Sequence, residues 1–282
     1  LLASAEIGSC QPTATVITST GTLSLDASSS DNGNPTYAGT NNDLGTGVVV
    51  QMNPAGGIAN QLCLTDSAAQ PVRIRDVQFA DNSYTFTATR GATSTSMIVG
   101  NFDSNFMVNW ANEYIPPSGS NHIPYRFVLS PEGNIEVVGG TGTNSFQFRT
   151  ASNGTLLNDT RNLAARTNPF KTVIATNDTR IAVGNDDNFN NPGGVPTNKV
   201  WAVSAMPDGT ITQANTYFFN STNTVNGGIE IPNGIMNFGF NNDGSAFAMI
   251  IQDDLQEGNV AQINLGAVDV FTNSIRLSDG RL

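Results

Sequence analysis

The side chains best suited to chemistry in this chain are its carboxylates, because the other usual agents are scarce. His122 is the single histidine, whereas imidazole ligation of zinc or iron normally takes two or three. A Ser-His-Asp relay would have to use His122 in "PSGSNHIPYR", and no G-x-S-x-G elbow accompanies it. That segment reads as a surface loop and His122 as a surface residue. No G-x-x-x-x-G-K-S/T phosphate loop is present. Two carboxylates at a controlled separation can act as acid and base, or acid and nucleophile, on a glycosidic bond. Asp76, Glu113, Glu136, Glu230 and Asp269 are the candidates by position. Most of the 23 acidic residues lie in turns, where Asp stabilises the bend.

Three further groups could bind something. Asp186, Asp187, Asn188 and Asn190 crowd the connection "GNDDNFNNPGG". Oxygen ligands at such short spacing suit calcium, although the spacing is not that of an EF-hand and an ion-free polar loop is the plainer reading. Asp253 and Asp254, with Glu257, read as a solvated loop. Trp110 and Tyr114 flank "NWANEYIPP", read as a loop leaving a strand pair. Aromatic faces beside amide groups stack on sugar rings and bond their hydroxyls, so these two are the candidate ligand-binding residues. Asn-x-Ser/Thr triplets at Asn153, Asn158, Asn177 and Asn220 would accept glycans in a secreted eukaryotic or viral chain, though so Asn- and Thr-rich a sequence meets the pattern by chance.

Composition narrows the setting. Charged residues are 12% of the 282, about half the usual share, and Asn, Thr, Ser and Gly take their place. The formal net charge is −11, which disfavours nucleic acid and anionic lipid as partners. No apolar run reaches the roughly 18 residues of a membrane span. Cys10 and Cys63 are the only cysteines. As a disulfide they would close a loop of about 50 residues, worth roughly 4 kcal/mol in the chain-entropy model, and would mark an oxidising compartment. Two buried thiols are the other reading. In "LLASAEIGSC", Ala3-Ser4-Ala5 resembles the end of a signal peptide and Ile7-Gly8-Ser9-Cys10 a lipobox. Glu6 interrupts both, so the expectation is an N-terminal segment of an exported chain rather than a lipid anchor.

The elements that must position these residues are strands. Helical periodicity is confined to 156–168, expected as a turn or two of helix. Elsewhere short runs of β-formers end in Gly, Asn, Asp or Pro. Hairpins are expected to turn near Ala55, Ser104, Asn153, Asp208 and Gly266, which lie 49, 49, 55 and 58 residues apart. A second series turns at Asp81-Asn82, Glu132-Gly133, Asn177-Asp178 and Asp243-Gly244. Two hairpins per unit of about 50 residues give four antiparallel strands per unit, the pattern of a β-propeller.

"LSPEGNIEVV" and "FNNDGSAFAMI" resemble hairpins of secreted lactonase-like propellers, and Val138-Gly139-Gly140 resembles the double glycine of kelch repeats. The matching tyrosine and tryptophan of kelch blades are missing. The turns at Glu132 and Asp243 resemble the Asp-boxes of sialidases without their closing tryptophan. The resemblance implies an architecture and no particular family.

The reading is therefore an all-β chain, one β-propeller over residues 1–282 of about five to six four-stranded blades. Residues 1–25 would supply a closing strand or an assembly contact. A pair of β-sandwich domains is the alternative. The expected role is that of an exported, non-enzymatic protein of the cell surface or extracellular space, the periplasm being a further location. It would act in binding, adhesion or assembly, with other surface proteins, glycans or copies of itself as partners. The alternative is a secreted hydrolase of carbohydrate or lactone working through central carboxylates.

Overall fold

The structure, a computed structural model, describes residues 23–31, 34–92, 95–115, 121–141, 145–161, 169–176, 178–186, 199–217, 222–241 and 243–263. Among these are twenty strands and no helix. Sheet one comprises β1 (Leu23–Asp31), β2 (Asn34–Asn41), β3 (Thr46–Met52) and β4 (Ile58–Leu64). Sheet two comprises β5 (Val72–Ala80), β6 (Ser83–Arg90), β7 (Ser96–Asp103) and β8 (Val108–Tyr114). Sheet three is built from β9 (Ile123–Leu129), β10 (Ile135–Gly140), β11 (Ser145–Thr150) and β12 (Leu156–Arg161). Sheet four follows with β13 (Phe170–Ala175), β14 (Arg180–Asp186), β15 (Lys199–Ala205) and β16 (Ile211–Tyr217). Sheet five has β17 (Asn223–Ile231), β18 (Gly234–Asn241), β19 (Ala246–Gln252) and β20 (Glu257–Ile263). In every sheet the strands lie in chain order with no crossover, so each is a simple meander and none shows the Greek-key exchange typical of a sandwich.

The burial of each strand follows its sequence. Middle strands such as β3 ("TGVVVQM") and β15 ("KVWAVSA") are continuous apolar runs buried on both faces, as strands covered from both sides must be. The fourth strand of sheet four is polar and open: β16 begins "ITQA" with four exposed residues. The segment expected to be helical starts instead as the edge strand β12. Its leucines, Leu156 and Leu157, are both exposed, so their spacing never described a buried helical stripe. Residues 162–168 of that segment lie outside the described ones.

The chain divides into two compact units, Leu1–Pro124 and Tyr125–Leu282. In the first, Val49, Leu62, Ile74, Phe86, Ile98 and Phe102 form a core between sheets one and two. In the second, sheets four and five close on Ile181, Val183, Ile235, Phe247, Met249 and Leu255. A smaller cluster with Val138 of sheet three places Phe170 and Trp201 in a stack at 4.9 Å.

One turn closes the last hairpin of all five sheets. Asn53, Asp103, Ala151, Met206 and Gln252 each donate their N–H to the carbonyl four residues on, at 2.8–3.0 Å. Each also accepts from the amide three residues on, at 2.9–3.0 Å. A carboxylate or amide at Asn53, Asp103, Asn153, Asp208 or Asp254 caps the amide two residues further along. The starting residues are 50, 48, 55 and 46 positions apart. This is the expected repeat, with one correction. In sheet five the turn is at Asp253-Asp254, not near Gly266, and Asp243-Gly244 joins β18 to β19 rather than the first two strands. The fourth turn position is left-handed in every copy: Gly56, Gly154 and Gly209 in three sheets, but Phe106 (φ +64°) and Leu255 (φ +59°) in the other two. Without the glycine signal at Leu255, the sequence reading slides forward by one hairpin.

First strands share another device. β1, β5, β13 and β17 each bulge by one residue, at Asp26, Arg75, Lys171 and Asn226, opposite the small residues Gly39, Ala88, Gly184 and Gly239. The approach is close enough that a Cβ on Gly39 would lie 1.8 Å from the Ser24 carbonyl oxygen. The bulges turn polar side chains toward neighbouring first strands: Arg75 reaches Asp26 at 3.9 Å, and the Lys171 ammonium sits 3.4 Å above the Tyr125 ring.

Candidate functional site

Trp110 and Tyr114 lie within the edge strand β8 rather than in a loop beyond it. Strand alternation puts Trp110, Asn112 and Tyr114 on one face, and Ala111 and Glu113 on the other. Ala111 packs on the core of the first unit. The row of two half-buried rings with an amide between them spans about 13 Å from Trp110 to Tyr114. Burial raises the Tyr114 hydroxyl above its ordinary pKa, partly offset by its hydrogen bond with Asn112, so Asn112 orients that hydroxyl. Asn112 was not singled out in the sequence, although its place between the rings at even spacing was the available signal.

The carboxylates divide between two ionic clusters and a cleft. Glu113 on β8 holds the Arg90 Nη1 with both oxygens, each at 3.0 Å, and also accepts from the Ser96 hydroxyl. Arg90 Nη2 meets Asp66 Oδ1 at 3.0 Å. Glu113 and then Asp66 raise the guanidinium pKa further. Burial pushes the Asp66 carboxyl up, but the Gln70 amide and Arg90 more than offset this and hold it below the usual range. Asp76 is buried at 1% exposure in the same unit, where its Oδ1 accepts from the Val77 amide at 3.0 Å.

In the second unit, Glu136 Oε1 lies 2.7 Å from Arg180 Nε and 3.0 Å from Arg149 Nε. Glu132 Oε2 adds a contact with Arg180 Nη2 at 3.4 Å. Burial pushes the Glu136 carboxyl up against the pull of Arg180, whereas the Ser130 hydroxyl leads in drawing Glu132 down. Beside them lies a shallow, half-open pocket of about 10 Å³. Glu230 is exposed on β17 and lines, with Asp253, a cleft of about 220 Å³ at the turns of sheet five. Asp269 lies outside the described residues. Arg90, Arg149 and Arg180, absent from the sequence candidates, organise both clusters. Each begins, ends or interrupts an apolar strand in a chain poor in charge.

His122 is not a surface residue. It is 3% exposed, and its backbone amide donates to the Thr95 carbonyl. Asp186 ends β14, while Asp187, Asn188 and Asn190 lie outside the described residues, among which no cluster of three metal-ligating side chains occurs. Asn153 is exposed at its turn, and Asn158 is half-buried beside the shallow pocket. Asn177 and Asn220 fall outside the described residues, as does Cys10. Cys63 is buried on β4, its sulfur 3.4 Å from the Gln61 amide nitrogen.

No protein-family model and no curated protein matches the chain. Among solved structures, the Dos1 propeller is similar with a TM-score of 0.53 and 10% identity, over 83% of this chain and 59% of that one. Drosophila Plexin A, solved in complex with Semaphorin 1b, gives 0.52 at 8% identity, over 82% of this chain and 52% of that one. The chain thus spans a little over half the length of these solved chains. At such identities the likeness concerns fold alone, and it agrees with five four-stranded meanders repeating about every 50 residues: the chain has a β-propeller fold.

Proposed function

We propose that the chain is an exported, non-enzymatic binding module that acts in adhesion or assembly at a surface. The observation that carries this reading is the row Trp110, Asn112 and Tyr114 on the edge strand β8. Rings that stack and an amide that bonds hydroxyls are the equipment of a glycan-binding face. The ionic clusters support it as well, since Glu113 is committed to Arg90 and Glu136 to Arg180 and Arg149. The test is a glycan array probed with wild type and with Trp110→Ala, alongside sedimentation of the protein with itself. Binding that falls at least tenfold in Trp110→Ala supports the reading; no glycan binding and no self-association at micromolar concentration overturns it.

Export carries its own test. Peptide mapping without reduction is expected to find Cys10 linked to Cys63, and two free thiols would remove that support. A second reading, a secreted hydrolase, is favoured by Glu230 and Asp253 sharing one cleft. Turnover of a carbohydrate or lactone that Glu230→Gln abolishes would establish it.

A further inference from the structure

Of the four Asn-x-Ser/Thr triplets in the sequence, those at Asn153 and Asn158 lie among the described residues, and their settings differ. Asn158 is half-buried on β12, where it pairs across the ladder with Arg149. Asn153 stands in the turn Ala151–Thr155 that closes sheet three, and Ser152, Asn153 and Thr155 are all exposed. Its Oδ1 accepts from the Thr155 amide at 3.0 Å. Such an Asx-turn folds the triplet back on itself and brings its first and third residues together. The turn has no need of the amide nitrogen. In sheets four and five the same place is held by Asp208 and Asp254, whose carboxylates cap Thr210 and Gln256 at 2.8 and 3.0 Å. Asp208-Gly209-Thr210 differs from Asn153-Gly154-Thr155 in that one group alone. Asn153 Nδ2 is bonded to no described residue. Sheet three therefore carries an amide where a carboxylate would serve the fold, and presents it to solvent with a threonine two residues on.

We propose that Asn153, and not Asn158, is an acceptor of an N-linked glycan. The inference rests on the reading of the chain as exported, because this modification belongs to the secretory pathway. In the step, Asn153 Nδ2 attacks the anomeric carbon of an oligosaccharide carried on a polyprenyl diphosphate. The carbon–nitrogen bond forms as the bond from that carbon to the diphosphate oxygen breaks. The diphosphate leaves with the electron pair, and Nδ2 gives up one proton. The Oδ1 that caps Thr155 takes no part, so the turn keeps its geometry with the glycan attached.

The test expresses the whole chain behind a secretion signal in cultured eukaryotic cells and maps the tryptic peptide 150–161, which carries both triplets. The expected result is a glycan on this peptide that is lost in Thr155→Val and in Asn153→Asp but kept in Thr160→Val. A wild-type peptide without glycan overturns the proposal. So does a glycan kept in Thr155→Val and lost in Thr160→Val, which would make Asn158 the acceptor. Asn153→Asp produced in bacteria, free of glycan, is expected to melt together with wild type. A lower melting temperature would show that the turn needs the amide, and overturns the proposal as well. None of these readouts depends on whether Cys10 and Cys63 are linked, so a failed acceptor and a failed export reading are told apart.

Discussion

Glu136 is a buried acid with two guanidinium neighbours, and its two kinds of partner pull in opposite directions. Burial outweighs Arg180 and Arg149 and leaves the carboxyl above its ordinary pKa of 4.5. The folded chain then binds this proton more readily than the unfolded chain does. Its contribution to stability is therefore full below 4.5 and falls as pH rises through the raised value. Glu136→Gln is accordingly expected to be at least as stable as wild type at pH 7, with the difference closing below about pH 4.5, as read from urea midpoints across pH. Arg180→Met should behave otherwise. It leaves Glu136 buried with one partner fewer and should cost about 3–5 kcal/mol at pH 7. Asp243 has the opposite sign: the Ser245 hydroxyl holds its carboxyl below 3.8, so that its contribution is present above 3.8 and lost as pH falls.

Among the elements, the last hairpin of each sheet shows how far the sequence could be followed. Asn153-Gly154 and Asp208-Gly209 announce their turns because glycine takes the left-handed position without cost. Leu255 takes the same position with φ +59° and no exposure. Its side chain fills the core between sheets four and five, and its carbonyl receives Tyr217, whose hydroxyl burial pushes up to about 12. A local strain is thus outweighed by packing that no local pattern reveals, so the turn of sheet five leaves no signature in the sequence. Leu255→Gly would relieve the backbone by about 1–2 kcal/mol but leave a core cavity costing about 2–5 kcal/mol. A net loss is expected in chemical denaturation; a gain would mean that the strain dominates. The ionic clusters were less legible still. Arg149 and Arg180 are 31 positions apart and meet only because β11 and β14 belong to adjoining sheets, a relation with no local trace. Trp110 and Tyr114 could be chosen by chemistry, but their setting in a strand depended on where β8 ends.

At the scale of the molecule, protection should be graded within every sheet. Second and third strands carry the buried centres, such as Phe86, Val99, Ala182, Val203 and Phe247. β16 and β20 present mostly exposed side chains. Native-state hydrogen exchange is expected to be slowest in β6, β7, β14, β15, β18 and β19, and faster by at least tenfold in β16 and β20. Uniform protection across a sheet would contradict the layering. The shared turn has a consequence of another kind. Where the capping side chain is the first turn residue, as at Asn53 and Asp103, the tips Pro54-Ala55 and Ser104-Asn105 are under little structural obligation, whereas Asn153, Asp208 and Asp254 are themselves the caps of their turns. Selection, or an engineer, can rewrite such tips one sheet at a time and alter what the surface recognises while the framework beneath stays as it was.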